Sequence, residues 1–253
     1  MINEGNRQSD SLVIGRQPVL EALRDGRAID RIYLQRFAAG DIVPEIQRLA
    51  AERRIPVNTV PAEKLRTLTR ANHQGVVALT TLITYVDLQQ TVDHVTGQGT
   101  APLFLMLDGV TDVRNIGAIS RSARCFGAQA LIIPDKGVGA LNEDAVKASA
   151  GALLHISVAR VNSLLKAVDT LHLNGFSIYA SEMRADKTLS DLDLTGPSCL
   201  ILGSEDKGIQ PYLLKAADAR FRIPMSAGFD SLNVSVSAGI MLNEAFAQRT
   251  RKP

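Results

Sequence analysis

Leu103–Ala123 reads LFLMLDGVTDVRNIGAISRSA: five apolar residues in a row, a turn at Asp108 and Gly109, then helical spacing at Ile116, Ile119 and Ala123. A strand apolar at every position, rather than at alternate ones, has no face left for water. The same pattern continues outward. Ala130–Ile133, His155–Val158, Phe176–Ala180, Cys199–Leu202 and Arg220–Ile223 are short, mostly apolar strand candidates. Helical patterns lie between several of them, at Ile116–Phe126, Ser163–Leu173 and Pro211–Ala216, and Val234–Phe246 follows the last. The alternation predicts an α/β domain over 102–249, with a mostly parallel sheet covered on both faces. Ligands of such sheets bind beyond the carboxyl ends of the strands, so the residues after each strand are the candidates for function.

Upstream, residues 12–85 predict a smaller α/β unit. Helical segments at Pro18–Leu23, Val43–Arg53 and from Pro61 through Leu68 alternate with strands at Arg31–Leu34, Val57–Val60 and Gly75–Leu82. Between the two domains the polar stretch Asp87–Pro102, with Gly97, Gln98, Gly99 and Thr100 in a row, reads as a linker over 86–101. Residues 1–11 read as a flexible N-terminus.

The 253 residues are 45% hydrophobic and 21% charged, as in water-soluble globular proteins. No apolar run approaches the ~18 residues of a membrane span, and no signal-peptide core follows the start, so the expected location is the cytoplasm. Cys125 and Cys199 stand far apart, outside any CxxC spacing, and are expected to be small buried apolar residues. Net charge is only +2, but residues 1–85 hold 12 Lys and Arg against 9 Asp and Glu, and 11 of those 12 cations are arginine. Arginine pairs bidentately with phosphate and stacks on bases, which points the first third of the chain toward RNA.

Three segments that follow strands carry the chemistry. In Asp108–Ala123 and just beyond it, Arg114, Arg121 and Arg124 share one helix face near a helix start, a favourable place for a phosphodiester; an ordinary polar face reads the same way. In Leu200–Ile209, LILGSEDKGI, the strand ends at Gly203 and turns through Glu205 and Gly208 before Pro211 opens a helix. Those glycines would allow close backbone approach to a ligand, and Glu205 could orient a donor. In Ile223–Ile240 a Pro-interrupted loop leads to Ser231, expected to cap the final helix. The absences narrow the choice: no GxGxxG, no GxxxxGK[ST], no HxxxH or HExxH among His73, His94, His155 and His172, and no GxSxG. Neither a dinucleotide fold, a metal site nor a familiar hydrolase is expected.

Taken together and in order, the three segments resemble the three signature motifs of the SpoU (TrmH-like) RNA ribose 2′-O-methyltransferases of the SPOUT superfamily. Gly15 through Ala22 and His73-Gln74-Gly75-Val76-Val77-Ala78 are similar to the L30e-like substrate-binding domain of the 23S rRNA guanosine methyltransferases in that family. One position departs from the pattern: Val113 stands where the family usually has proline. The resemblance implies a C-terminal domain with a deep trefoil knot, a homodimer, no metal, and S-adenosylmethionine as cofactor. It implies Asn115, Arg121, Glu205, Ser231 and Asn233 as the residues of activity, and Gly203, Ile223 and Leu232, with Ser181, Gly208 and Met225 nearby, as the cofactor site. RNA would meet Arg114, Arg124, Arg16 and His73. Arg121 is the base proposed for the family, yet a guanidinium stays protonated; it fits better as a clamp on phosphate and on the developing alkoxide, with Ser231, Asn115 or water relaying the proton. A tRNA ribose methyltransferase and a non-catalytic RNA-binding or ribosome-assembly factor are the alternatives.

Overall fold

The computed structural model describes residues 12–226 and 231–251, so the expected flexible segment 1–11 lies outside the described residues. The chain divides into two compact units, residues 1–84 with 140–143, and residues 85–139 with 144–253.

In the first unit the order is β1 (Leu12–Ile14), α1 (Arg16–Arg24), β2 (Ile29–Gln35), α2 (Ile42–Glu52), β3 (Val57–Val60), α3 (Ala62–Leu68) and β4 (Val76–Thr80). The strands form a four-stranded sheet ordered β1-β4-β2-β3, with β4 antiparallel to both β1 and β2, and β2 parallel to β3. Ile32 and Leu34 of β2 and Val76 and Ala78 of β4, two residues apart in each strand, face Val19 and Leu23 of α1 and Ile46 and Ala50 of α2 in one apolar cluster. Strand β1 is an addition to the expected order. Its three residues are too few to show a period.

The second unit contains β5 (Tyr85–Val86), α4 (Leu88–Thr96), β6 (Leu103–Asp108), α5 (Val113–Cys125), β7 (Ala130–Pro134), α6 (Glu143–Ala148), β8 (Ser157–Val161), α7 (Leu164–Leu173), β9 (Ser177–Ser181), β10 (Lys187–Thr188), β11 (Ser198–Gly203), α8 (Pro211–Ala216), β12 (Ala219–Arg222) and α9 (Val234–Thr250). Its eight strands are ordered β10-β12-β9-β11-β6-β7-β8-β5, and every pairing is parallel. Phe104 and Met106 face Val92, Val168 and Leu213 of α4, α7 and α8, while α5 and α9 pack against each other, and Ile116, Ile119, Met241 and Leu242 on them are buried. All six residues of β6 are buried, as a doubly covered strand requires.

The expected linker 86–101 is corrected by this unit. It holds the end of β5 and the whole of α4, whose Leu88, Val92 and Val95 are buried and whose N-cap, Asp87, accepts from the Gln90 N–H at 3.2 Å. The glycines at 97 and 99 follow the helix rather than separating domains. Strand β8 also begins later than expected, at Ser157, because Ala152–Leu154 forms a single 3-10 turn. Cys199 is buried, with its thiol pushed up by desolvation, whereas Cys125 is exposed at the end of α5. At the far end of α9, Arg249 donates to the carbonyls of Ala101, Pro102, Leu194 and Gly196 and so locks that helix to the segments entering β6 and β11.

Candidate active site

Four adjacent strands, β12, β9, β11 and β6, end side by side. Their carboxyl ends carry Arg222, Ser181, Gly203 and Asp108. Beyond them opens a cavity of about 540 Å³, within the range of sites that enclose a small organic ligand. All six residues expected to hold the cofactor, Ser181, Gly203, Gly208, Ile223, Met225 and Leu232, line it. Glu205 and Ser231 line it as well.

The turn after β11 sets the shape of this cavity. A Cβ on Gly203 would lie 2.1 Å from the Gly208 carbonyl carbon and 2.3 Å from the Ile209 nitrogen. The glycine is therefore required by the chain's own backbone packed against it, while it also lines the cavity. Gly208, at φ 66, closes the turn by donating to the Ser204 carbonyl at 2.9 Å, and its own Cβ direction is open. Asp108 accepts from the Gln210 N–H at 2.7 Å and fastens the end of the turn to β6. Burial pushes the Asp108 carboxyl up, partly offset by that hydrogen bond. Sequence reading had not singled out Asp108 as a site residue, because a last-position aspartate on an apolar strand looks like the start of any loop.

The turn delivers Glu205 to a polar cluster. Glu205 Oε1 accepts from Asn233 Nδ2 at 2.7 Å, from Asn115 Nδ2 at 3.2 Å and from the Val234 N–H at 3.4 Å. Asn233 Nδ2 also donates to Asn115 Oδ1 at 3.1 Å. Three residues separated by 90 and 28 positions in the chain are thus joined through side chains alone. The expected cap of the last helix is corrected here. Asn233, not Ser231, is the N-cap of α9, accepting on Oδ1 from the Ser235 N–H at 2.9 Å and the Val236 N–H at 3.4 Å. Both residue types are good caps, and only the backbone path decides between them. Ser231 is left exposed at the cavity.

Arg121 is not brought into this cluster. It is exposed on α5, six residues beyond Asn115, and is absent from the cavity wall. Six residues along an α-helix is ~9 Å of rise and about a third of a turn in direction, so the two side chains diverge. Arg114 and Arg124 are exposed on the same helix. Sequence reading missed Glu182, Met183 and Arg184, which form another wall. Their signal was position: they follow β9 directly, as Ser181 does. Arg222 pins that wall by donating to the Ala185 and Asp186 carbonyls. Among the described residues, no group of three or more His, Cys, Asp and Glu could hold a metal ion, and no helix is long and apolar enough to cross a membrane.

This arrangement meets a matching family model. The SpoU rRNA methylase family model matches residues 102–243, more than half the chain. The chain belongs to the SpoU rRNA methylase family. A second model, for RNA 2′-O ribose methyltransferase substrate binding, matches residues 12–86, the span of the first sheet. Among curated SpoU relatives, an uncharacterized tRNA/rRNA methyltransferase of Synechocystis is 36% identical over 98% of this chain, which spans 65% of that protein's length. A protein of Staphylococcus haemolyticus assigned to the TrmH family of tRNA/rRNA methyltransferases is 33% identical over 95% of this chain and 96% of its own. Among solved structures, the AdoMet-bound rRNA methyltransferase of Sinorhizobium meliloti superposes with a TM-score of 0.58 at 25% identity, covering 96% of this chain and 90% of that one.

Proposed function

We propose that this SpoU-family chain transfers a methyl group from S-adenosylmethionine to a ribose 2′-oxygen of RNA, with a guanosine of 23S rRNA as the target and the cytoplasm as its location. The observation that carries the reading is the cavity at the ends of β12, β9, β11 and β6, with its polar cluster of Asn115, Glu205 and Asn233. The residues present fit the cofactor. Apolar Leu202, Ile209, Leu214 and Leu232 offer walls for an adenine ring, and the lining carries both carboxylates (Glu182, Glu205, Asp206) and cations (Arg184, Lys207, Arg222), which suits the sulfonium and the carboxylate of the same ligand. When bound, S-adenosylmethionine supplies an electrophilic methyl on a positively charged sulfur, so the protein's task is chiefly positioning.

Glu205 already accepts three hydrogen bonds on one oxygen and acts as the organiser that fixes Asn115 and the start of α9. Ser231, Asn115 or a water would relay the proton of the 2′-hydroxyl outward, a hydroxyl or water in that relay giving up its own proton as it takes the new one, with bulk water as the final acceptor; Ser231 is exposed at the cavity. Arg121 holds the adjoining phosphate and the developing alkoxide. The resemblance implies a homodimer with pockets near the subunit interface, and there an Arg121 that is absent from its own chain's cavity wall would serve the partner's site. Exposed Val236, Ile240 and Phe246 on α9 give that dimer an apolar face. The trefoil knot is proposed on the same family ground.

The test has two parts. S-adenosylmethionine should bind in a calorimeter, and RNA from a deletion strain should lack one 2′-O-methyl by mass spectrometry. Arg121→Ala should abolish transfer to that RNA while leaving cofactor affinity intact. Absence of cofactor binding would sink the enzymatic reading; normal turnover of the variant would sink the role of Arg121.

A further inference from the structure

In the first unit, the carboxyl ends of β1, β2 and β3 and the start of β4 lie at one end of the sheet, as the pairings of Ile14 with Val77, Leu34 with Val76 and Gln35 with Val60 require. Three loops emerge there, at Gly15, at Arg36–Asp41 and at His73–Gly75. They hold five left-handed backbone positions: Gly15 (φ 101), Phe37 (φ 60), Gly40 (φ 123), Gln74 (φ 49) and Gly75 (φ 82). Bulky side chains rarely adopt that conformation, and where they do the surroundings have to enforce it.

Arg16 is the enforcing group. Its guanidinium donates through Nε to the Gln74 carbonyl at 2.9 Å and through Nη1 to the Ala39 carbonyl at 2.7 Å, joining two of the loops. Gly40 makes room for it, since a Cβ there would lie 2.8 Å from Nη1. His73 Nδ1 accepts from the Gly75 N–H at 3.0 Å, which shapes the third loop. Arg16 and His73, the two residues of this unit expected to touch RNA, are therefore engaged in holding backbone. What the loops present instead is Phe37. It sits third in the turn Gln35–Ala38, closed by the Ala38 N–H on the Gln35 carbonyl at 3.1 Å, a position that with positive φ favours glycine or asparagine. Phe37 is 99% exposed, and exposed Arg36 precedes it.

We propose that Phe37 is a stacking platform for an unpaired base of the RNA substrate, with Arg36 on a neighbouring phosphate and Arg16 as the positioning residue that holds the platform. The inference rests on the RNA reading above and deepens it: a ring offered edge-free to solvent on a rigid turn engages a base splayed from a loop or bulge, and has no face to meet within a continuous duplex. The cationic balance of residues 1–85 and the match of this span to an RNA substrate-binding model favour a nucleic acid over a protein as the occupant.

The experiment uses the full chain and two labelled RNAs of equal length, a hairpin with a large single-stranded loop and a fully paired duplex. Phe37→Ala should weaken hairpin binding roughly 5- to 100-fold, Phe37→Trp should restore it, and duplex binding should not change. Arg16→Ala should weaken the hairpin complex too, and adding Phe37→Ala to it should cause less further loss than Phe37→Ala causes alone. Phe37→Gly relieves the backbone conformation, so it should lose the hairpin without lowering thermal stability. Unchanged hairpin affinity in Phe37→Ala overturns the proposal, as does an equal loss on hairpin and duplex, or a tryptophan variant as weak as alanine. If the wild-type chain fails to bind S-adenosylmethionine but its hairpin binding still depends on Phe37, the proposed reaction fails and the stacking site stands.

Discussion

The cavity end of the large sheet and the loop end of the small one are both built where strands stop, yet they are held together in opposite ways. In the large sheet, Asn115, Glu205 and Asn233 bond to one another through side chains, and the backbone of the Gly203–Ile209 turn packs against itself. In the small sheet, one arginine gathers two backbone carbonyls and the loops leave an aromatic ring in water. The first design encloses a volume and fixes polar groups around it, as a site for a small ligand must. The second encloses nothing and stiffens a surface, which suits a partner that arrives from outside.

The difference is most sharply broken at glycine. Gly203→Ala sets a methyl against backbone at 2.1 Å, where nothing flexible can yield, and should abolish cofactor binding and cut the yield of folded protein. Gly40→Ala meets only the end of the Arg16 side chain but also forces alanine to φ 123, so it should strain that loop and weaken RNA binding while leaving cofactor affinity unchanged. Calorimetry with S-adenosylmethionine on both variants checks the contrast; equal loss in the two would erase it.

A smaller effect separates the two hubs. Glu205→Ala strands three donors and should lower turnover by about 100-fold, in line with ~3 kcal/mol for a charged hydrogen-bond hub, with Glu205→Gln recovering part of it. Arg16→Ala should leave cofactor affinity untouched and cost about 1–2 kcal/mol in urea unfolding, because both its acceptors are exposed carbonyls that water can serve. Single-turnover assays and unfolding curves distinguish the two.

The smallest expected effect is on pH. The Asp108 carboxyl is raised above its ordinary 3.8 by burial, so the folded chain holds that proton more tightly than the unfolded chain. Its contribution to stability is greatest below the unfolded value and is lost as pH rises through the folded one. Relative to Asp108→Asn, the wild type should lose stability between acid and neutral pH, read from urea midpoints along the pH series. A flat difference would show that the group titrates alike in both states.

Much of the fold was legible in the chain. Helix α8 starts at Pro211 and ends at Ala216 as read, and β6, β7 and β11 follow their apolar runs, because a strand covered on both faces leaves a mark on every residue. Elements of two or three residues, β1, β5 and β10, leave none. Helix α4 did carry a period at Leu88, Val92 and Val95, masked by the polar residues between them and the glycines after. At the site, Glu205 stood out as a carboxylate in the turn after an apolar strand, whereas Asn115 and Asn233 came only through the resemblance to the family's motifs. Met183 and Arg184 did not, since a cavity wall demands only that a side chain be nearby.

What the sequence by itself determined is the alternation of buried strands and helices, the two domains, and the residue types at the strand ends, all of which follow from local spacing. Only the tertiary structure decided which of those residues meet. Glu205 touches Asn115 and Asn233 across 90 and 28 positions, Asn233 rather than Ser231 caps α9, and Arg16 holds backbone while Phe37 faces water. The physical reason is one of range: periodicity reports whether a side chain is covered, whereas a hydrogen bond depends on a few tenths of an ångström set by the packing of distant segments.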